Sequence, residues 1–304
     1  MKFDVVGFGA LNVDKLYRVN KIAGKDEESF IKNFKQACGG SAANTIVGLA
    51  RLGLKVGYIG KIAQDIEGKL LLKDFEKEGV NIDGIIVSKK GRSGVVLGFV
   101  DENGERALYV DPGVNSTIQY EEINVKYAEN TSFLHLTSFV GETSFETQKR
   151  LVKKIPSSVK VSLDPGTIYA RKGLTSLESI IKRCFVLFLN EIEMKLLTGK
   201  GYREGAEMFV EMGVDIVAVK LGAKGCYVTD GKEACHVEPF KAKVVDTTGA
   251  GDAFNAGFLY GLLKGKNLRE CGRLGNFVAS KCIEKIGARR GLPYAHELKD
   301  FKNF

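Results

Sequence analysis

Short apolar runs alternate with longer segments of helical periodicity along almost the whole chain. Strand candidates fall at 4–8, 56–60, 132–136, 159–163, 185–189, 215–220 and 225–229. Helix candidates fall at 40–52, 66–78, 144–154, 176–182, 191–198, 203–212, 250–264 and 268–285. This alternation predicts βαβ units, hence an α/β fold with a largely parallel sheet covered on both faces. The run Phe185-Val186-Leu187-Phe188-Leu189 is apolar throughout, as suits a strand buried on both sides. Neither a long linker nor an internal repeat interrupts the pattern. The 304 residues therefore read as one large domain, 1–304.

Two stretches break the rhythm. Residues 12–35 and 92–111 look β-rich, with turn residues between the strands. Asp101-Glu102-Asn103-Gly104, between Val95–Val100 and Ala107–Val110, reads as a hairpin turn. Four short strands from these two insertions would form a second, small sheet. Such a sheet needs cover for its apolar face. It closes over a ligand as a lid, pairs with its copy in a homodimer, or does both.

Charge narrows the partners only a little. Lys and Arg number 45 against 37 Asp and Glu, a formal net charge of +8. The excess is spread rather than clustered, so it does not establish nucleic-acid binding and argues only weakly for small anions. Cys38, Cys184, Cys226, Cys235, Cys271 and Cys282 show no metal or redox spacing, and read as reduced thiols of a cytoplasmic protein. His135, His236 and His296 have no triad context. The opening residues lack a signal-peptide pattern, and no apolar stretch reaches the ~18 residues that span a bilayer, so no membrane association is expected.

The segment Val244-Val245-Asp246-Thr247-Thr248-Gly249-Ala250-Gly251-Asp252-Ala253-Phe254 points to chemistry. A short apolar run stops at Asp246, small residues turn tightly, and an apolar helix begins near Ala250. The first helical turn leaves N–H groups unpaired and carries partial positive charge, which attracts anions. Asp252 sits at the mouth of that nest, and a phosphate cradle beside an acid suggests phosphoryl transfer. The helix end is expected to lower the pKa of Asp252 and make it a weak base.

Other segments are less specific alone. Gly7-Phe8-Gly9-Ala10-Leu11-Asn12 nearly matches a dinucleotide fingerprint, but Asn12 replaces its third glycine and β-rich sequence follows where a helix should start. Asn12 and Asp14 lie two residues apart just beyond a strand end, and read either as a turn or as a ligand contact. Gly39-Gly40-Ser41-Ala42-Ala43-Asn44 opens the first long helix, as plain turn punctuation or as a place for close ligand approach. Asn190-Glu191-Ile192-Glu193 starts a helix with acids that the dipole alone would favour. Lys220-Leu221-Gly222-Ala223-Lys224-Gly225 is either a simple hairpin turn or a bed for a flat nucleotide, and Gly287-Ala288-Arg289-Arg290-Gly291 is another small-residue loop.

Together these segments resemble the ribokinase, or PfkB-type, family of carbohydrate and nucleoside kinases, from about residue 3 to residue 294. The two signatures are Gly39–Asn44 and Asp246–Phe254. The resemblance implies a three-layer αβα sandwich with a mostly parallel central sheet and a small β-sheet lid. It implies ATP as co-substrate, Mg2+ as cofactor, and a sugar, sugar phosphate or nucleoside as acceptor. By that similarity Asp252 matches the catalytic base, and Gly249, Ala250 and Gly251 match the anion hole. Asn12, Asp14, Gly39, Gly40 and Asn44 match the substrate site. Asn190, Glu193, Lys220, Gly222, Gly225 and Asn276 match the nucleotide site, with Glu193 reaching magnesium through water. Asp246, Thr248, Ala288 and Gly291 match a monovalent-cation (K+) site of some members.

The chain departs from ribokinases proper in two places. It reads Thr137-Ser138-Phe139 where they place an acid on the sugar, and Ser41-Ala42 where they have lysine and glycine. Arg92 and Arg106 read as solvated arginines or as contacts to a substrate phosphate. A non-catalytic ligand sensor on the same fold is the alternative of a different class. An intact acid beside the anion nest speaks against it.

Overall fold

The computed structural model describes residues 2–303, so residues 1 and 304 of the expected 1–304 unit lie outside the description. The first part of the chain forms β1 (Phe3–Phe8), β2 (Asn12–Val19), β3 (Ile31–Gly39), α1 (Ser41–Arg51), β4 (Val56–Ala63), α2 (Ile66–Lys77), β5 (Asn81–Ser88), β6 (Gly94–Val100) and β7 (Arg106–Asp111). The middle forms α3 (Val125–Glu129), β8 (Thr131–Thr137), α4 (Glu142–Lys154), β9 (Lys160–Asp164), α5 (Gly166–Ala170), α6 (Leu174–Ile181), β10 (Cys184–Asn190), α7 (Glu191–Thr198) and α8 (Tyr202–Glu211). The last part forms β11 (Ile216–Lys220), β12 (Cys226–Thr229), β13 (Ala234–Val237), α9 (Ala250–Leu263) and α10 (Leu268–Cys282).

Nine strands form the large sheet in the order β13-β12-β11-β10-β9-β8-β1-β4-β5. Every pairing from β11 to β5 is parallel, and only β12 is reversed, pairing antiparallel with β11 and with the edge strand β13. One core lies between this sheet and α1, α2, α9 and α10, and includes Ile46, Phe75, Phe188, Phe258 and Phe277. A second core lies on the other face under α4, α6, α7 and α8, with Phe145, Leu151, Ile180, Met194 and Phe209. The sheet is thus buried on both faces, which is why its strands read as continuous apolar runs. Two of its strands escaped the sequence reading. β5 is an edge strand interrupted by Asp83 and Gly84, and β13 is a four-residue edge strand.

The small sheet has the order β3-β2-β6-β7. β2 and β6 pair in parallel, and β3 and β7 flank them antiparallel. The expected hairpin joins β6 to β7, and Asp101 Oδ1 closes its turn by accepting from the N–H groups of Asn103 and Glu105, both at 2.9 Å. β3 continues to Gly39, past the expected end at 35, so it leads directly into α1. Register places Asn12 opposite both Gly39 and Gly94.

Candidate active site

α9 is apolar around its whole circumference, as a fully buried helix must be. Residues Ala253 to Leu259 are all buried. Its first turn is therefore fixed by the core rather than free at the surface. Gly249 caps it in the left-handed region at φ 78°, and a side chain there would collide with Ala288. This glycine is thus required both by conformation and by the close approach of the loop from residue 287 to 291.

The N-terminus of α1 meets that of α9 at Asp252. Ser41 Oγ donates to Asp252 Oδ1 at 2.5 Å, and Asn44 Nδ2 donates to Oδ2 at 2.8 Å. Thr45 Oγ1 donates to the Asp252 carbonyl at 3.2 Å. Burial pushes the Asp252 carboxyl up to about 6, against the pull of Ser41 and Asn44. The sequence expectation had the opposite sign. The helix end favours the anion, but loss of water around a carboxylate enclosed by protein outweighs it.

A cavity of about 760 Å³ opens from Asp252 towards β11, β12 and α10. Asp252, Ala250 and Gly251 line it, as do Asn190, Glu193, Lys220, Gly222, Gly225 and Asn276. The structure thus brings these sequence candidates to one space. Asn190 and Glu193 form a reciprocal capping box: Glu193 N–H donates to Asn190 Oδ1 at 2.8 Å, and Asn190 N–H donates to Glu193 Oε2 at 2.9 Å. Burial, then the nearby Asp164 charge, push Glu193 up to about 7. Asn276 donates through Nδ2 to the carbonyls of Val237 and Glu238, both at 3.0 Å, and so holds the chain leaving β13 against α10.

Lys220 is more than a loop residue. Its Nζ donates to Asp164 Oδ2 at 2.5 Å, and Asn255 Nδ2 reaches the same oxygen at 2.6 Å. Burial opposes charge on both partners. Even so, the attraction holds Asp164 below the ordinary carboxylate value and Lys220 above the ordinary amine value. Nζ also lies 3.4 Å from where a Cβ on Gly251 would be, so the ammonium faces the first turn of α9.

Asn12 and Asp14 lie on β2, and Gly39 and Gly40 at the end of β3. These four and Asn44 do not line the cavity, and connect to it through the contact of Asn44 with Asp252. Asp14 packs against Gly39, and burial raises its carboxyl to about 6 against the lowering influence of Arg289. Asp246 accepts from Thr248 N–H and Oγ1 and from Gly287 N–H, at 2.9, 2.7 and 2.8 Å. The Cys282 thiol donates to the Ala288 carbonyl at 3.3 Å and also faces that of Thr248 at 3.7 Å, while Gly291 packs on the Cys282 backbone. Asp246, Thr248, Ala288 and Gly291 are therefore gathered around one thiol. Arg92 pairs with Asp111 at 2.6 Å, and the Arg106 guanidinium acts electrostatically on Asp246.

Sequence reading missed Asp164, Asn255, Asn115 and the role of Arg289. Asp164 carried a usable signal, because it stands at the C-terminal end of a parallel strand, where such folds place their ligands. Asn255 and Asn115 gave none, since each acts on a residue far away in sequence.

The arrangement defines a phosphotransferase class, in which an anion-attracting helix tip and a half-buried acid share one cavity. The chain belongs to the pfkB family of carbohydrate kinases, whose model matches residues 2–295. It is 54% identical over 250 residues to an uncharacterized sugar kinase of Archaeoglobus fulgidus, covering 81% of this chain and 98% of that protein. It is 32% identical to an ATP-dependent ribose-1-phosphate kinase of Halopiger xanaduensis, covering 94% and 93%. Among solved structures, a ribokinase from Thermotoga maritima superposes with a TM-score of 0.88 at 29% identity, covering 99% and 100%. The expected ribokinase-like fold is thus borne out.

Proposed function

We propose that this protein transfers the terminal phosphate of ATP to a hydroxyl of a sugar, sugar phosphate or nucleoside. The observation that carries the reading is Asp252, fixed at the tip of α9 and facing the large cavity. The acceptor hydroxyl forms a bond to the γ-phosphorus, the bond from that phosphorus to the β–γ bridging oxygen breaks, and ADP departs. Asp252 receives the hydroxyl proton. Backbone N–H groups of Gly249, Ala250 and Gly251 stabilise charge on the moving phosphoryl group. Asn12, Asp14, Gly39, Gly40 and Asn44 hold the acceptor. Gly222, Gly225 and Asn276 line the nucleotide site, and Lys220 balances phosphate charge.

Magnesium suits the acidic wall of the cavity. Among the described residues no set of three or more His, Cys, Asp or Glu gathers to hold a metal. The ion would therefore rest mainly on phosphate oxygens and water, with Glu193 bonding to that water. When bound, it neutralises phosphate charge. Asp246, Thr248, Ala288 and Gly291 are our candidates for a potassium site, tested by comparing turnover in potassium and in tetramethylammonium salts.

The small sheet is read as a lid that also forms a homodimer. Leu16, Leu108 and Val110 alternate onto the same face as Asp14, while Tyr17, Phe34, Phe99 and Tyr109 form a ring cluster on the other. Phe34 and Tyr109 are exposed, as an unfilled interface would leave them. Among the described residues no helix is long and apolar enough to cross a membrane. Six free cysteines favour a cytoplasmic setting.

ADP release against ribose, ribose 1-phosphate, other aldoses and ketoses, and nucleosides tests the reading. Release with one acceptor is expected, and Asp252→Asn should lower its turnover by about 10²-fold or more while nucleotide binding persists. Near-normal turnover in that variant would remove the assigned base. Tight ligand binding with no release from any acceptor would favour the sensor alternative, which no observation otherwise supports.

A further inference from the structure

Asn44 has a second partner that the kinase reading does not use. Arg289 Nε donates to Asn44 Oδ1 at 2.8 Å, across 245 residues of sequence. Arginine only donates hydrogen bonds, and an ionised carboxylate only accepts them. Asn44 lies between the two, so its amide has one orientation compatible with both: Oδ1 towards Arg289 and Nδ2 towards Asp252. If the amide turned over, N–H would face guanidinium and oxygen would face carboxylate.

Arg289 is itself held from several sides. Its Nη1 pairs with Asp74 on α2, Nη2 lies 3.5 Å from the Gly39 carbonyl, and the guanidinium sits 5.7 Å from the centre of the Phe75 ring. Its own carbonyl accepts from Arg51 Nη1 at 2.6 Å, and Arg51 is gripped in turn by both oxygens of Glu78, at 2.7 and 2.8 Å. Arg289 is only 9% exposed, so water competes little for these bonds. The fork geometry of the guanidinium matters, because one side chain must serve Asn44 and Asp74 at once.

Asn12 is oriented in the same manner. Asn115 exchanges two hydrogen bonds with the Leu11 backbone, at 3.0 and 2.8 Å, which fixes its own amide. Its Nδ2 then donates to Asn12 Oδ1 at 3.1 Å. Both amides in the acceptor region therefore have their oxygens held by donors, so each is fixed as a donor through Nδ2. Asp14 and Asp252 supply the accepting groups.

We propose that Arg289 is a positioning residue for phosphoryl transfer: it locks Asn44 as a donor, so that Asn44 holds one oxygen of Asp252 and offers its remaining N–H to the acceptor hydroxyl. The inference rests on the kinase reading and assigns a polarity to the site. The bound hydroxyl accepts from Asn44 and donates to Asp252. The charged groups around this point are Arg289 and Asp74 behind Asn44, Asp14 on the acceptor side, and Lys220 with Asp164 from the cavity side.

The test uses the full chain with Arg289→Met, Arg289→Lys and Asp74→Asn. The first readout needs no acceptor: the side-chain amide resonances of Asn44 in nitrogen-15 spectra of the ligand-free protein, assigned through Asn44→Ser. Arg289→Met should move or broaden that pair. Arg289→Lys should do the same despite keeping its charge, since a single nitrogen on a flexible stem does not reproduce the separate Nε and Nη1 donors that meet Asn44 and Asp74. Asp74→Asn, which leaves Nε in place, should have a smaller effect. The second readout is steady-state kinetics with ATP and whichever acceptor releases ADP. For Arg289→Met we expect kcat to fall about tenfold or more and acceptor KM to rise, with ATP KM within about twofold. Unchanged Asn44 resonances in a folded variant overturn the proposal. So does a lower melting temperature with kcat and acceptor KM intact. If Arg289→Met does not fold, Arg289→Lys and Asp74→Asn decide on the same resonances. Absence of turnover with every acceptor would count against the kinase reading alone, because the spectra report on Asn44 regardless.

Discussion

The two ends of the cavity are built by different means. Towards α10 it is lined by glycine backbone and apolar surface, with Gly222, Gly225, Pro239, Val244 and Ile283. At Asp252 it ends on Ser41 and Asp252, braced from outside the cavity by polar side chains that hold one another in place: Asn44 on Asp252, Arg289 on Asn44, and Asp74 on Arg289. The first end selects by shape, and many apolar substitutions should be tolerated there. The second selects by hydrogen-bond direction, so a single amide or charge removed there should be felt by its neighbours.

Lys220 stands between the two ends and should give the largest response. Lys220→Met leaves Asp164 buried without its ion partner, a change that commonly destabilises by about 3–5 kcal/mol. Chemical denaturation at several pH values checks this, and the sign is determined. In the native protein Asp164 is held below its ordinary value, so its contribution is present at neutral pH and fades as pH falls through the acid range. Without Lys220, burial raises Asp164, so the variant gains stability as pH falls. The deficit should therefore be greatest near neutrality and narrow in acid. A deficit independent of pH would mean that Lys220 acts by packing alone.

The next effect separates the ends by pH. Burial raises both Asp252 and Asp14 to about 6. A base and a hydrogen-bond acceptor both work ionised, so kcat/KM for the acceptor should hold above pH 6 and fall below it. The fall should be about tenfold per pH unit for one group and steeper where both titrate. Nucleotide affinity should follow a different limb, because the raised carboxyl on its side of the cavity is Glu193, pushed up to about 7. Equal pH limbs for both ligands would erase the distinction.

What the sequence disclosed divides along another line. Gly39–Asn44 and Asp246–Phe254 were readable because a backbone that must turn tightly and approach a ligand leaves glycine and small residues in fixed order. The alternation of apolar runs gave the large sheet, apart from edge strands β5 and β13, which are short or interrupted. The side chains that brace Asp252 and Asn44 from behind were not readable. Nothing in Gly287-Ala288-Arg289-Arg290-Gly291 tells which of its two arginines turns inward to reach Asn44. The Asp252 expectation had the wrong sign because the dipole is a local property of the chain, whereas burial belongs to the assembled fold.

At the glycine-lined end, Gly225→Ala should have a smaller effect. Gly225 has φ 81°, and a Cβ there would run into the Val237 carbonyl. We expect about 1–3 kcal/mol of strain, seen as a lower melting temperature and weaker ATP binding, with little change in acceptor KM. A rise in acceptor KM with unchanged ATP affinity would reverse the assignment of the two ends.

The smallest effect on catalysis should come from the small sheet's outer face. Phe34 is 46% exposed and stacks loosely on Tyr17, with ring centres 5.0 Å apart. Phe34→Glu places a charge in that ring cluster, on the face opposite Asp14. If a second copy covers the cluster, burying the carboxylate costs more than the lost ring contact, and sedimentation should show dimer giving way to monomer. Turnover per protomer should then stay close to that of the parent, because Asp14 and Asn12 project from the other face of β2. A parent chain that sediments as a monomer at micromolar concentration removes the dimer. A dimer that survives Phe34→Glu moves its interface elsewhere. Loss of turnover in a well-folded monomer would show that the two faces are not independent, and that the sheet must be braced from outside to hold Asp14 in place.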